Sequence, residues 1–189
     1  EVDLCTFPLF ALFAPALGMT AIIPDMDFTR PGRVNVDRLF EAIDDFGVTN
    51  MFGSPALLRR VGAAGRVTNK RLPTLKRLIS AGAPAEVAVL KDIQAMLSDD
   101  AEVFTPYGAT EVLPVSSIGS REILRCASGV LGVCVGKPVH DTQVFIIRIC
   151  DQEILQWTDD LLVPRGQIGE IVVKGPQVTQ NYFNRKASD

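Results

Sequence analysis

The sequence predicts an α/β protein: a mostly parallel sheet with flanking helices, followed by a smaller β-rich, barrel-like subdomain. Three observations carry this prediction. Between residues 4 and 105, short apolar runs alternate with stretches of helical periodicity. Strand–helix units repeated at that length associate as a parallel sheet through right-handed crossovers. After about Val115 the helical stripes stop, Gly and Pro become frequent (GVLGVCVGKP), and short β-type runs take over. The expected division is an α/β subdomain at residues 1–118 and a β-rich subdomain at residues 119–189.

The first element is the least ordinary. Residues 4–24 carry no charge, a run long enough to raise a membrane span. Pro8, Pro15 and Gly18 interrupt it, so a strand, a short buried helix and a second strand explain it better. Asn35 then caps a helix whose apolar face is Val36, Leu39, Phe40, Ile43 and Phe46, and Gly47 stops it. VTNMF (48–52) reads as a strand. Ser54 and Pro55 open the next helix as cap and first helical residue. LKRLI (75–79) is a strand, Val87, Leu90, Ile93 and Leu97 recur at helical spacing, and AEVFT (101–105) is a further strand. Beyond the change in character, VFIIRI (144–149) and GEIVVKG (169–175) read as strands, with a turn at VPRGQIG.

Composition narrows the function classes. The chain has 189 residues, 47% hydrophobic and 22% charged, which is globular and not disordered. A net charge of −3 and the lack of a basic stripe argue against nucleic acid as a partner. Four separated cysteines (Cys5, Cys126, Cys134, Cys150) and a single histidine give no zinc spacing; buried, reduced thiols in a cytoplasmic protein are expected. His140 reads as a solvent-facing turn residue and Trp157 as packing for a β-hairpin. The acidic pairs at residues 44–45, 99–100 and 159–160 read as solvated helix ends or turns. No GxSxG elbow supports a serine hydrolase.

Chemistry is expected at two loops. In open α/β sheets, ligands gather beyond the carboxyl ends of the strands. SAGAP (80–84) follows one strand and PYGATE (106–111) another, and both are built of small residues that let backbone amides approach an anion. The second adds the Tyr107 ring, which can stack on a base, the Thr110 hydroxyl for a phosphate oxygen, and Glu111, a hard oxygen ligand suited to Mg²⁺. A small-residue loop after a strand is also an ordinary connection, so each loop alone is weak evidence.

TPYGATE resembles the YGxTE motif of the AMP-forming, adenylate-forming superfamily, which includes acyl-CoA synthetases and firefly luciferase. Other landmarks follow in the family's order. TFPLFALF (6–13) looks like its hydrophobic segment at the acyl pocket, ISAGAP (79–84) like its adenine-loop motif, and GQIGEIVVKGPQVTQNYFN like its GELxVxGxxVxxGY segment. The resemblance spans nearly the whole chain. Within the superfamily, PLFALFAPALG, PDMDFTRPG, FGSPALL and YGATEVLPV resemble bacterial ligases of long-chain olefin biosynthesis, which close β-hydroxy acids to β-lactones. A fatty acyl-CoA synthetase, with CoA as acceptor, or a fatty acyl-AMP ligase is the alternative.

The resemblance implies roles for particular residues. Gly82, Ala83 and Pro84 line the adenine pocket and Tyr107 stacks on the base. Gly108 and Ala109 admit the substrate carboxylate and acyl chain. Thr110 hydrogen-bonds the α-phosphate, Glu111 binds Mg²⁺, and Phe10, Ala11 and Phe13 belong to the acyl pocket. Ala11 stands where many relatives carry an aromatic residue or histidine, which suits a widened pocket. The implied ligands are ATP or AMP, Mg²⁺ and a small carboxylic acid. The implied chemistry needs positioning and charge neutralisation more than acid–base groups, so one histidine is no obstacle. The family's Gly-rich phosphate loop with its lysine, its ribose-binding aspartate and its C-terminal lid are absent from residues 1–189, which implies an inactive central fragment. Two other readings compete: a non-enzymatic nucleotide-binding module and a purely structural domain.

Overall fold

The N-terminal segment folds as β1 (Val2–Leu4), of which only Leu4 belongs to the uncharged run, then α1 (Phe10–Ala16) and β2 (Thr20–Ile22). The computed structural model describes residues 1–126 and 132–184. β1 enters the core, with Leu4 and Cys5 almost fully buried, and Thr6 donates its hydroxyl to the Phe52 carbonyl at 2.5 Å. The short helix is not buried as its composition suggested. Within α1 only Ala14 is buried, while Phe13 is 49% and Leu12 72% exposed. Hydrophobic content without a polar face carries no information about which side meets the core. Among the described residues no helix is long and apolar enough to cross a membrane.

The strand–helix alternation follows as expected, with shorter strands. α2 (Val36–Phe46) starts at Asn35, whose side chain accepts from the Asp37 and Arg38 amides at 3.1 and 3.4 Å. It ends in a Schellman turn: the Gly47 amide reaches the Asp44 carbonyl and the Val48 amide the Ile43 carbonyl, with Gly47 left-handed at φ 57°. That turn brings Val48 beside Ile43 in the core, and Phe46, expected on the buried face, is 56% exposed. β3 (Asn50–Phe52) therefore starts two residues later than VTNMF suggests, because the Val48 amide belongs to the helix end. β4 (Arg77–Ile79) is trimmed for the same kind of reason, since the Leu75 amide closes a turn to Leu72. Between them α3 (Pro55–Thr68) is capped by the Ser54 hydroxyl with Pro55 at its first position. α4 (Val87–Met96) presents Val89, Leu90, Ile93 and Met96 to the core.

β5 (Glu102–Ala109) is longer than AEVFT and is followed by β6 (Val112–Gly119), so that only Thr110 and Glu111 connect them. A link of two residues is a hairpin, possible only between antiparallel neighbours. A short helix, α5 (Ser120–Cys126), follows β6, and β7 (Lys137–Pro138) pairs antiparallel with it. The sheet order is β2-β1-β3-β4-β5-β6-β7, with parallel pairing from β2 through β5. Side chains at the centre of this sheet, Leu4, Met51, Leu78 and Val103, are 0–2% exposed. Each such burial contributes about 1.5–3 kcal/mol.

The chain divides into two compact units: Glu1–Pro106 with Ile118–Gly136, and Tyr107–Ser117 with Lys137–Asp189. In the second, β8 (Gln143–Ile147) and β9 (Glu170–Lys174) form an antiparallel pair in register from Gln143↔Lys174 to Ile147↔Glu170. Trp157 packs its ring 5.1 Å from that of Phe145 on β8. His140 is a turn residue whose side chain is 94% exposed, its Nδ1 2.8 Å from the Asp141 carboxylate. Of the cysteines, only Cys5 is buried; Cys126, Cys134 and Cys150 are partly exposed, and all four are free.

Candidate functional site

In the first unit, the loop after β4 is built around one glycine. Ser80 prolongs the ladder by donating its amide to the Phe104 carbonyl at 2.9 Å. Gly82 then turns the chain at φ +91°, a conformation that side-chain-bearing residues rarely adopt. A Cβ built on Gly82 meets nothing within 4 Å, so glycine is needed here for its backbone and not for room. Gly82, Ala83 and Pro84 are exposed. Pro84 and Ala85 form one wall of an apolar cavity of about 280 Å³ whose other walls include Val87, Ile123 and Cys134. At the root of the loop, the Ser80 side chain is 1% exposed and its hydroxyl has no hydrogen-bond partner in the structure. Leaving a buried hydroxyl unmatched costs about 1–3 kcal/mol, so such an atom is a natural place for a polar ligand atom to bond.

The expected acyl-pocket residues lie at the start of the same unit. Phe10 packs between Phe7 and Phe52, with ring centroids at 5.8 and 4.9 Å. Ala11 is partly exposed and Phe13 is 49% exposed. The aromatic group is therefore Phe7, Phe10 and Phe52, of which Phe52 comes from the end of β3, and sequence reading had no means of adding it.

In the second unit, the YGATE residues are not a loop after a strand. Tyr107, Gly108 and Ala109 are the last residues of β5, and Thr110 and Glu111 are the hairpin turn itself. All five are exposed, Tyr107 at 37%. Gly108 has a structural reason as well: a Cβ there would lie 2.5 Å from the Val112 carbonyl oxygen and 2.8 Å from Leu113 Cδ1. The hairpin closes this tightly only because that position has no side chain.

Glu111 is held from two sides. Its carbonyl accepts from the Thr179 amide at 2.7 Å, and its carboxylate Oε1 accepts from the Tyr182 hydroxyl. The Tyr182 hydrogen bond, helped by Glu111's own amide, holds the carboxyl below the usual carboxylate range, so it is a full anion at neutral pH. Gln177 donates to the Pro114 carbonyl at 3.1 Å and to the Thr142 hydroxyl at 2.5 Å. An exposed anion at a hairpin tip, next to a hydroxyl and an aromatic ring, is a donor set that suits a hard divalent cation and a nucleotide. Sequence reasoning placed Ser80 in the SAGAP loop without a role of its own, and it missed Gln177, Thr179 and Tyr182. The last three lie in the quoted GPQVTQNYFN stretch, but nothing in its pattern says that it meets the hairpin.

The comparisons with known proteins bear on the whole chain. The AMP-binding enzyme family matches residues 5–183. The chain is 48% identical over 187 residues to an olefin beta-lactone synthetase of Stenotrophomonas maltophilia, covering 97% of this chain and 33% of that protein. It is 47% identical over 190 residues to an olefin beta-lactone synthetase of Xanthomonas campestris pv. campestris, covering 99% and 34%. It thus spans about a third of the length of these relatives. Among solved structures, unliganded o-succinylbenzoate coenzyme A synthetase from Bacillus subtilis superposes with a TM-score of 0.71 at 24% identity, covering 100% of this chain and 36% of that one. A luciferase-like enzyme from the mealworm Zophobas morio gives 0.71 at 17% identity, covering 99% and 42%. Those two likenesses speak for the fold, whereas the family match extends over nearly every residue described above. By that match, the chain belongs to the AMP-binding enzyme family.

Proposed function

We propose that this chain is the central part of an ATP-dependent, AMP-forming ligase that activates a fatty acid and, where that acid carries a β-hydroxyl, closes it to a β-lactone. The observation that carries the reading is the level of identity. The two olefin beta-lactone synthetases share 47–48% with this chain, whereas a 4-coumarate–CoA ligase, a 2-succinylbenzoate–CoA ligase and a feruloyl-CoA synthase share 25–30%. In the proposed first step, a substrate carboxylate oxygen bonds to the α-phosphorus of ATP as the bond to the β-phosphate breaks and pyrophosphate leaves. In the second, the substrate's own β-hydroxyl oxygen bonds to the acyl carbon as the acyl–phosphate C–O bond breaks; AMP leaves and the hydroxyl proton passes to water. Mg²⁺, when bound, supplies neutralisation of the phosphate charge.

The residues described here fit these ligands by their chemistry. Glu111 is an exposed carboxylate kept ionised, Thr110 is the neighbouring donor, and Tyr107 presents a ring at the same hairpin. Gly82, Ala83 and Pro84 form the exposed loop assigned to the adenine, with the unmatched Ser80 hydroxyl at its root. Structures of the Bacillus subtilis synthetase in complex with AMP, and with ATP and magnesium ion, support the ligand assignment by kinship of fold. Gly108 and Ala109 are assigned to passage of the acid, and Phe10, Ala11 and Phe13 to its acyl chain. The reading includes a cytoplasmic location, the compartment that supplies ATP. It also divides the parent protein so that its phosphate loop and lid lie outside these residues; the chain alone is then expected to form no acyl-adenylate.

Product analysis tests the reading. The full-length protein, given ATP, Mg²⁺, a long-chain β-hydroxy acid and CoA, is expected to yield β-lactone and AMP without consuming CoA. Formation of the acyl-CoA instead would establish the CoA-ligase alternative. Thr110→Ala and Glu111→Gln should each lower ATP–pyrophosphate exchange about 10–100-fold. Unchanged exchange in both would favour a structural domain.

A further inference from the structure

The segment GPQVTQNYFN has no role in the function proposed so far, yet in the second unit it meets the hairpin three times. Gln177 donates to the Pro114 carbonyl at 3.1 Å, the Thr179 amide donates to the Glu111 carbonyl at 2.7 Å, and the Tyr182 hydroxyl donates to Glu111 Oε1. The contacts run along β6 toward the turn and end on the side chain at its tip. We propose that residues 177–182 are a strap that positions the hairpin, with Tyr182 the positioning residue that aims the Glu111 carboxylate for cation binding. The inference rests on the assignment of Glu111 to Mg²⁺ made above.

Three physical points support it. Glu111 is exposed at a two-residue turn, where no packing restrains its side-chain rotors. A partner is therefore needed if the carboxylate is to hold one direction. The partner is a phenol, which donates one hydrogen bond without bringing a positive charge. A lysine or arginine in its place would orient the carboxylate but also neutralise it and compete with the cation. A carboxylate has about four lone-pair sites, so the bonds from Tyr182 and from Glu111's own amide still leave acceptor capacity for a metal. The Thr179–Glu111 backbone bond adds that the strap and the turn move together, so the aim of the side chain is set relative to a fixed main chain.

The test combines Tyr182→Phe and Glu111→Gln, singly and together. In the full-length protein, the Mg²⁺ dependence of ATP–pyrophosphate exchange is measured for each. Tyr182→Phe is expected to raise the half-saturating Mg²⁺ about tenfold, the size typical when a group orienting a metal ligand is lost, with a smaller effect on the maximal rate. Adding Tyr182→Phe to Glu111→Gln should change nothing further. In this chain without ligands, hydrogen exchange of the amides at residues 110–112 should quicken in Tyr182→Phe while β1, β3 and β4 keep their protection. A Mg²⁺ curve that superposes on wild type, or the same loss in the Glu111→Gln background, would overturn the positioning role. Unchanged exchange at residues 110–112 would overturn the strap. Should Glu111→Gln itself leave the Mg²⁺ dependence untouched, the metal assignment fails and the proposed role of Tyr182 fails with it.

Discussion

Gly108 links the fold to the proposed chemistry at a single atom. Replacing it by Ala places a Cβ 2.5 Å from the Val112 carbonyl oxygen, where ordinary contact begins at 3.4 Å. The two strands must therefore part by about 0.9 Å (3.4 minus 2.5) at the residue pair before the turn. The obstacle is backbone on the facing strand, not the free end of a flexible side chain, so rotamer changes cannot absorb it. Overpacking of this kind costs about 1–3 kcal/mol. At about 2–4 °C per kcal/mol for a chain of this size, the mid-range cost of 2 kcal/mol lowers the melting temperature by about 4–8 °C. The functional loss should exceed what stability alone explains. Thr110 and Glu111 follow the wedge with only Ala109 between, and a displacement near 1 Å in a positioned group costs about 100-fold in rate. The assays are thermal unfolding of the chain followed by circular dichroism, and ATP–pyrophosphate exchange by the full-length protein well below the variant's melting temperature. A Gly108→Ala variant that melts within 1 °C of wild type would refute the steric argument. A variant that melts as expected yet exchanges at the wild-type rate would refute the link between hairpin closure and the site.

Two further outcomes follow from local structure. Asn35→Ala removes the acceptor for the Asp37 and Arg38 amides and should destabilise the chain by about 1 kcal/mol, read as a shift of the urea midpoint without a change in slope; no shift would mean that water caps α2 equally well. Burial pushes the Asp3 carboxyl above 3.8, against a smaller opposing bond from the Cys5 thiol. Because the folded state holds that proton more tightly, this contribution to stability is fully present below the unfolded value and is lost as pH rises through the folded one. Asp3→Asn should therefore be more stable than wild type at pH 7, with the gap closing below about pH 4; a gap that does not change with pH would refute this.

Much was legible because it is written locally. Asn35, Gly47, Ser54 and Pro55 mark helix ends through their own side chains and backbone preferences, and each stands at the end it was assigned. The alternation of strands and helices was equally plain, and the parallel order from β2 to β5 follows from it. Where the reading erred, the missing term was a partner distant in sequence. Phe46 fits the helical face by spacing, but the turn back to Ile43 gives its buried place to Val48. Leu12 and Phe13 are as apolar as core residues and lie outside it. AEVFT was expected to stop at Thr105, with PYGATE as a small-residue loop after it; cross-strand pairing carries β5 on to Ala109.

The class of fold, the caps of the helices, the family through its ordered motifs, and the residue types at the candidate site can all be read along the chain. These depend on neighbours a few positions apart or on identity at single positions, which a linear pattern records. Tertiary structure alone decided that YGATE is a hairpin tip, that Gly108 is required by the facing Val112 carbonyl, and that Tyr182, 71 residues away from Glu111, holds its carboxylate. Such contacts leave no periodic trace, because a hydrogen bond between two distant residues constrains only where the chain brings them together.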